Sequence, residues 1–299
     1  MTTRYSEIVR LASQPLQPVP SGVQPKLVRL ANIQAVVFDI YGTLLISGSG
    51  DVGTSNPSAR SKALVAALEA LQIEFTADRK LASEVFMHVI ASHHNVARQQ
   101  GIEYPEVDIT QVWSDTLTEL HRRGWIDRRG DNVDLKCLAI EYEVRTNPVW
   151  TMPGLERCLD LISAESRRLG IISNAQFFTL EIFPALLNKS ITGLGFHDHN
   201  IHLSYKYNRA KPGTHLYQMA REALKGLAIK ADQVLYIGND MLNDVLPAHT
   251  VGFRTALFAG DARSLRMRET DTRVKGLAPD LVVTHLMQIP ECIGIEHGR

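Results

Sequence analysis

Asp39 follows an apolar run that ends at Phe38, and a carboxylate at the tip of a buried strand could act as a nucleophile. It opens the string D-I-Y-G-T-L, in which Gly42 permits a tight turn and Thr43 supplies a hydroxyl group. An isolated string of this kind is usually a turn whose Asp accepts hydrogen bonds from nearby amides. Three further groups of polar residues favour the catalytic interpretation.

Two of those groups supply hydrogen-bond donors and a positive charge. Ser173 and Asn174 follow the apolar string L-G-I-I, and with nearby amides they are suited to hold an anion. Lys211 precedes a Pro-Gly turn and the start of a predicted helix, which places a point charge there. Each group alone is weak evidence, because Ser-Asn is common in turns and a lone lysine is usually solvated.

The last group is acidic. The string G-N-D-M-L-N-D at 238–244 places Asp240 and Asp244 after another apolar run, where a helix is expected to begin. If both lay beside Asp39 in a buried site, the carboxylates would repel unless a cation lay between them. Ligand sets made only of oxygen suit magnesium, so the sequence predicts a Mg2+ site.

Short apolar runs separated by helical patterns predict the elements that position these groups. The runs lie at 34–40, 169–173, 234–237, 255–258 and 281–283. Their length and apolar content are typical of buried parallel strands. Such βα alternation predicts an α/β fold with a Rossmann-like parallel sheet, whose ligand site lies at the carboxyl ends of the strands. The four polar groups are expected to converge there.

More than a hundred residues separate the first two predicted strands, far more than one crossover helix needs. Apolar residues at helical spacing recur through this segment, so we predict an inserted α-helical cap domain. The predicted boundaries are 1–33 for an N-terminal arm, 34–56 and 148–299 for the core domain, and 57–147 for the helical cap.

Composition narrows the class of protein. The chain has 299 residues, 44% of them apolar, which fits a globular protein near the upper size for one core. Lys plus Arg equals Asp plus Glu at 32 each, so no net charge attracts nucleic acid. No apolar run approaches the roughly 18 residues of a membrane span. We therefore expect a cytoplasmic protein whose partner is a small-molecule substrate, without nucleic-acid or membrane binding.

Two other segments are predicted to carry no chemistry. Arg263, Arg266 and Arg268 are interpreted as a solvated face. The alternating histidines of G-F-H-D-H-N-I-H-L at 195–203 fit an exposed strand edge or loop better than a zinc site.

Taken in order, the four polar groups resemble the four motifs of the haloacid dehalogenase (HAD) superfamily, whose members use an aspartate nucleophile. The predicted helical cap lies between the first and second motifs, where that family carries its own cap. The resemblance implies that Asp39 is the nucleophile and that Lys211 balances charge. It also implies that Thr43, Ser173 and Asn174 bind the substrate.

The same resemblance implies a metal site and a reaction. Asp39, Asp240 and Asp244 would hold Mg2+, together with the backbone carbonyl of Tyr41. The favoured function is that of a Mg2+-dependent phosphatase acting on a small phosphorylated metabolite. In this reaction Asp39 attacks phosphorus, and water releases the aspartyl-phosphate.

Tyr41 occupies a catalytic position but departs from the family pattern. Phosphatases of the family usually carry a second Asp there, which protonates the leaving oxygen and then activates water. A phenol, with an unperturbed pKa of about 10, is a poor general base at neutral pH. The cap residues His93 and His94 could supply the missing acid-base group, although we expect His93 to face the core.

Two alternatives remain open. The string D-x-Y-G-T resembles that of the metal-independent 2-haloacid dehalogenases, whose halide leaving group needs no proton. Ser173 and Asn174 would then hold the substrate carboxylate. The second alternative is a non-catalytic binding protein on a HAD fold, which Tyr41 also suggests.

Overall fold

The computed structural model describes residues 3–49, 57–127 and 132–296. The strands in this part of the chain are β1 (Ala35–Phe38), β2 (Leu45–Ser47), β3 (Val149–Thr151), β4 (Arg168–Ser173), β5 (Phe196–Leu203), β6 (Val234–Gly238), β7 (Arg254–Phe258) and β8 (Leu281–Val283). Six of them form a parallel sheet in the order β5-β4-β1-β6-β7-β8. The other two, β2 and β3, pair as an antiparallel ribbon.

The central strands are buried on both faces of the sheet, which explains their continuous apolar sequences. Every residue of β1 and of β6 is buried. The five predicted runs correspond to β1, β4, β6, β7 and β8, and the predicted α/β, Rossmann-like fold class is confirmed. The histidine-rich segment forms the edge strand β5, in which residues 197–199 are exposed and 200–203 are buried.

Some of the helices pack against the sheet, and four others pack mainly against one another. The helices are α1 (Arg4–Ala12), α2 (Pro57–Ala70), α3 (Arg79–Gln99), α4 (Ile109–Arg122), α5 (Leu135–Thr146), α6 (Leu155–Ala164), α7 (Thr179–Leu187), α8 (His215–Lys225), α9 (Leu246–Thr250) and α10 (Gln288–Cys292). Within the described ranges, none of these helices combines the length and apolar character needed to cross a membrane.

The helices α2 to α5 follow one another between β2 and β3, and we call them the cap. Phe86, Trp113 and Tyr142 lie ring against ring and join α3, α4 and α5. Their centroids are 4.6 to 5.4 Å apart, as expected for packed aromatic side chains. The cap helices occupy 57–146, inside the predicted insert. Residues 50–56, at the end of the first predicted core segment, lie outside the described residues.

The cap is connected to the core by the β2–β3 ribbon. The N–H of Gly48 donates to the carbonyl of Pro148 at 2.7 Å, next to the paired strands. The hydroxyl of Ser47 donates to Asn147 Oδ1, also at 2.7 Å. Both chain segments that enter and leave the cap are therefore tied to each other.

The N-terminal helix α1 contacts both parts of the molecule. It packs against α5 of the cap and α7 of the core. Thr3 Oγ1 donates to Glu181 Oε2 in α7 at 2.6 Å, and Arg4 lies 3.5 Å from Asp134 at the start of α5. The helix α1 lies within the predicted N-terminal arm and links the cap to the core.

Candidate active site

The carboxyl ends of β4, β1 and β6 lie side by side and bring the polar groups together. Asp39 directly follows β1 and continues its ladder, because its N–H donates to the carbonyl of Ile237 at 2.9 Å. Ser173 ends β4, and Asp240 lies two residues beyond Gly238 at the end of β6. A parallel sheet places such residues at one edge, where a ligand can be reached by all of them.

Lys211, one of the four polar groups, forms hydrogen bonds with each of the other three. Its ammonium donates to Asp39 Oδ1 at 2.8 Å and to Asp244 Oδ1 at 2.6 Å. Its backbone N–H donates to Asn174 Oδ1 at 2.8 Å. Burial opposes the charge on Lys211, but the carboxylates of Asp244 and Asp39 outweigh burial and raise the pKa of the ammonium above its usual value. Lys211 is therefore charged at neutral pH.

Asp244 is a buried carboxylate with several donors. The hydroxyl of Tyr236 donates to Oδ1 at 2.9 Å, and the N–H of Asp240 donates to Oδ2 at 2.9 Å. Burial raises the pKa of Asp244 to about 6, and Lys211 opposes that rise. Gly238 permits this approach, because a Cβ atom there would lie 2.3 Å from Asp244 Cγ. The sequence does not predict this role for Tyr236, because the residue lies within the apolar run of a strand.

Asp240 begins a helical turn and pairs with an arginine. Its Oδ1 accepts hydrogen bonds from the N–H groups of Leu242 at 2.8 Å and Asn243 at 3.1 Å. Its Oδ2 accepts from Arg268 Nη2 at 2.6 Å and from Asn243 Nδ2 at 3.0 Å. Asp240 is thus an N-cap residue with its own counter-charge.

The interpretation of Arg266 and Arg268 as a solvated face is wrong. Arg268 pairs with Asp240, and Arg266 lines the cavity described below. The segment lies there because the N–H of Met241 donates to Arg266 O and the N–H of Arg266 donates to Asn239 O, both at 2.9 Å. The local sequence does not distinguish this segment from a solvated face, because the partner of Arg268 lies 28 residues away in the chain.

The predicted Mg2+ ligands are Asp39, Tyr41 through its carbonyl, Asp240 and Asp244. This set does not fit the ion as the side chains are arranged, because Asp240 pairs with Arg268 and both Asp39 and Asp244 pair with Lys211, so each carboxylate already faces a cation. Across 3–49, 57–127 and 132–296, no three His, Cys, Asp or Glu side chains are arranged to hold a metal. The charges of Lys211 and Arg268 relieve the repulsion that suggested a metal in the sequence.

The predicted substrate-binding residues differ in their surroundings. Thr43 is fully buried and donates to Asn239 Oδ1 at 3.2 Å, whereas Asn174 lines the cavity. The hydroxyl of Ser173 is buried without a hydrogen-bond partner among the described residues. The same is true of the Ser264 hydroxyl, which sequence reasoning missed and which lines the cavity. Buried hydroxyls without partners are rare, and a bound ligand can satisfy them.

The hydroxyl group of Tyr41 is held by a neighbouring side chain and does not take part in proton transfer. Its hydroxyl lies 2.9 Å from Thr179 Oγ1, where the two groups share a hydrogen bond. Burial raises the pKa of the Tyr41 phenol, with a further contribution from the charge of Glu143. At neutral pH the phenol stays protonated, so it cannot act as a base.

A cavity of about 320 Å3 lies where the cap meets the strand ends. Asp39 and Lys211 line it from the core. His94, Glu106 and Glu143 line it from the cap. Sequence reasoning missed both glutamates, because an acidic residue within or beside a helix usually indicates a solvated face.

All three cap residues of the cavity have shifted pKa values, and burial raises the pKa of Glu106 above its ordinary value. Burial lowers the pKa of His94, which favours the neutral imidazole. Burial raises the pKa of Glu143 to about 7. His93 lies outside the cavity, is partly buried between α3 and α4, and places its Nε2 2.7 Å from Asp115.

Comparison with known proteins gives one family match and several similar folds. The sequence model of the haloacid dehalogenase-like hydrolases matches residues 33–252. A 2-haloacid dehalogenase from Pseudomonas syringae pv. Tomato DC3000 superposes with a TM-score of 0.56 at 17% identity, over 87% of this chain and 97% of that chain. A HAD phosphatase from Thermococcus onnurineus superposes with a TM-score of 0.51 at 15% identity, over 88% and 99%. No curated protein matches.

Proposed function

The chain belongs to the haloacid dehalogenase-like hydrolase family, and we propose that it hydrolyses a small phosphate monoester through a covalent bond to Asp39. The observation that carries this proposal is the 2.8 Å contact between Lys211 and Asp39 at the strand-end side of the cavity. The buried ammonium orients the carboxylate and offers a fixed positive charge where negative charge develops in the reaction.

The reaction uses Asp39 as a nucleophile. Lys211 holds Oδ1, which leaves Oδ2 to form a bond with phosphorus. The bond between phosphorus and the alcohol oxygen breaks, and that oxygen leaves with a proton. Water then attacks phosphorus, which frees Asp39 and releases inorganic phosphate. The hydroxyl of Ser264, which lines the cavity and has no hydrogen-bond partner among the described residues, is available to bind a phosphate oxygen.

The titratable side chain of Glu143, which lines the cavity, supports a phosphate ester rather than a haloacid as the substrate. With a pKa of about 7, the carboxyl group of Glu143 is populated in both protonation states at neutral pH. An alkoxide leaving group needs a proton from such a group, whereas a halide does not.

Two observations favour a second candidate function, the displacement of halide from a 2-haloacid. Tyr41 is fixed by Thr179 and cannot replace the acid-base aspartate of the phosphatases. In addition, the predicted ligand set does not fit Mg2+. In this reaction Asp39 would attack carbon, and Ser173 and Asn174 would bind the substrate carboxylate.

A substrate panel tests the proposal. The protein is assayed with phosphate esters, phosphonates and 2-haloacids, each with Mg2+ and with a chelator. We expect phosphate release from an ester, and we expect the Asp39→Asn variant to abolish it. Turnover that survives in this variant would contradict both candidate functions, because each requires covalent attack by Asp39.

Isotope labelling separates the two candidates. In a single turnover in water enriched in heavy oxygen, attack of water on phosphorus places the label in inorganic phosphate. An ester formed on carbon is hydrolysed at the carbonyl group of Asp39, which places the label in that side chain. Mass spectrometry of the phosphate and of the Asp39 peptide distinguishes the outcomes, and halide release with labelled Asp39 would establish the second candidate.

A further inference from the structure

We infer that Glu143 of the cap is the acid-base residue of this enzyme, protonating the leaving oxygen and then accepting a proton from the attacking water. The inference rests on the proposed phosphate ester hydrolysis. Glu143, in the last turn of α5, would thus serve as the acid-base group that Tyr41 cannot provide.

Glu143 lies in the right place for this role. It lines the same cavity as Asp39 and Tyr41, but from the opposite, cap side. A leaving group on the side of phosphorus opposite to Asp39 would point towards the cap, because attack and departure are roughly in line. With Asp39 attacking phosphorus from the core, the leaving oxygen would therefore point towards the part of the cavity that Glu143 lines.

The side chain of Glu143 is held by an amide of fixed orientation. Asn147 Oδ1 accepts hydrogen bonds from Ser47 Oγ at 2.7 Å and from Ser49 Oγ at 2.9 Å. The amide nitrogen is therefore directed to the other side, where Asn147 Nδ2 donates to Glu143 Oε1 at 3.2 Å. This arrangement leaves Oε2 of Glu143 to carry the exchanged proton. Asn147 is a positioning residue.

The groups around Glu143 are compatible with proton exchange. Tyr41 and Tyr142 are its aromatic neighbours with titratable hydroxyls, and both remain neutral. The remaining charged or titratable residues of the cavity are His94, Glu106, Asp39, Lys211, Asp240, Asp244 and Arg266. Burial is the main cause of the raised pKa of Glu143, and the hydrogen bond from Asn147 partly offsets it.

The other cap residues of the cavity are less suited to the role. Burial lowers the pKa of His94, which makes the imidazolium the minor form at neutral pH. Glu106 accepts hydrogen bonds from Ser204 Oγ at 2.7 Å, Val107 N–H at 2.9 Å and Gln176 Nε2 at 3.3 Å. Burial raises the pKa of Glu106 as well, and these three hydrogen bonds only partly oppose the rise. The donors do occupy both of its oxygens, so neither oxygen is left to exchange a proton with a substrate.

Glu143 donates one proton and accepts one proton in each turn of the proposed cycle. As the Asp39–phosphorus bond forms and the bond to the alcohol oxygen breaks, protonated Glu143 gives its proton to that oxygen. Ionised Glu143 then takes a proton from the water that attacks phosphorus. Asp39 is released as a carboxylate, phosphate departs, and Glu143 is protonated again.

The Glu143→Gln variant tests the inference with two substrates. An alkyl phosphate has a poor leaving group that depends on the proton, whereas 4-nitrophenyl phosphate has a good one. We expect kcat/KM for the alkyl ester to fall roughly 100-fold or more, the usual range for general acid catalysis. We expect a much smaller loss of the first step with 4-nitrophenyl phosphate. The pH dependence with a midpoint near 7 should also disappear.

Glu141→Gln is the matched control, because Glu141 lies on the same helix and pairs with Arg145. It should leave both rates and the pH profile unchanged. A readout independent of turnover is the carboxyl NMR titration of labelled glutamate, in which one signal with a midpoint near 7 should vanish in Glu143→Gln. Equal rates for Glu143→Gln and the control, with Asp39→Asn inactive, would overturn the role of Glu143 and leave the proposed function intact. Failure of Asp39→Asn to reduce turnover would overturn both.

Discussion

The ammonium group of Lys211 determines whether Asp39 and Asp244 can remain buried together. A salt bridge at the surface contributes little, but removing one member of a buried pair leaves an uncompensated charge. Here a single cation faces two carboxylates at 2.8 and 2.6 Å, so its loss affects both.

We expect Lys211→Met to abolish activity and to lower the free energy of unfolding by about 3–5 kcal/mol at pH 7. The loss should be smaller at pH 5, which lies below the pKa of about 6 for Asp244. The folded-state pKa of this acid is raised, so protonation at low pH favours the folded protein and removes one of the two unpaired charges. Urea denaturation at the two pH values measures the difference.

Lys225→Met is the control for that experiment. Lys225 is largely exposed and lies 3.6 Å from Glu222 on the surface of α8. We expect it to change the free energy of unfolding by less than about 0.5 kcal/mol. Similar stabilities for the two variants at pH 7 would contradict the assigned role of Lys211.

Tyr41 provides a second test among single residues. Because its hydroxyl only shares a hydrogen bond with Thr179, Tyr41→Phe should lower the free energy of unfolding by about 1 kcal/mol. It should change kcat by less than about threefold, since the phenol exchanges no proton in the cycle. A large loss of kcat with an unchanged fold, measured by steady-state kinetics and circular dichroism, would show that the phenol takes part in the chemistry.

Among the structural elements, the extended segment after β7 supplies charges to the site. It pairs with the backbone beyond β6 and places Arg268 against Asp240 at 2.6 Å. Arg268→Ala removes the counter-charge of an almost fully buried carboxylate. We expect a loss of about 1–3 kcal/mol in the free energy of unfolding, measured by denaturation.

Arg273→Ala separates the effect of burial from that of charge. Arg273 also pairs with an aspartate, Asp271, at 2.7 Å, but its side chain is half exposed. We expect less than about 0.5 kcal/mol for this variant. If Arg273→Ala were as destabilising as Arg268→Ala, the buried pair would have no special role in holding the segment.

The helix α1 forms a second link between cap and core, in addition to the β2–β3 ribbon. Tyr5 packs its ring against Phe177 of the core at a centroid distance of 6.4 Å. Its hydroxyl donates to Asp134 at the start of α5. Tyr5→Ala should therefore increase hydrogen exchange in α1 and α5 while leaving β1 and β6 protected. Unchanged exchange in α5 would show that α1 does not restrain the cap.

For the molecule as a whole, the sequence predicts most of the sheet. Strands buried on both faces have short apolar runs, and this property identifies β1, β4, β6, β7 and β8 without tertiary information. The edge strand β5 is harder, because its residues 197–199 face solvent and read as a loop. Its role depends on the neighbouring β4, which the local sequence does not encode.

The residues of the site likewise divide into those whose position could be predicted from the sequence and those whose position could not. Asp39, Ser173, Lys211 and Asp244 follow strands or turns at recognisable positions, so their convergence could be predicted from topology. The contacts of Glu143 and Arg268 arise where the cap and a loop fold over the strand ends, and local sequence patterns carry no record of such contacts. The role of Asp240 could not be predicted either, since its partner lies 28 residues away in the chain.

The hydrogen bonds that run from Ser47 through Asn147 to Glu143 cross the connection between ribbon and cap. In the proposed reaction, movement of the cap away from the sheet would carry Glu143 with it. A phosphorylated Asp39 would then have no base to activate water. Hydrolysis of that adduct would then wait for the cap to return. In the proposed reaction, the lifetime of the covalent adduct would thus depend on movement of the cap about the β2–β3 ribbon, and the alcohol would leave before water attacks.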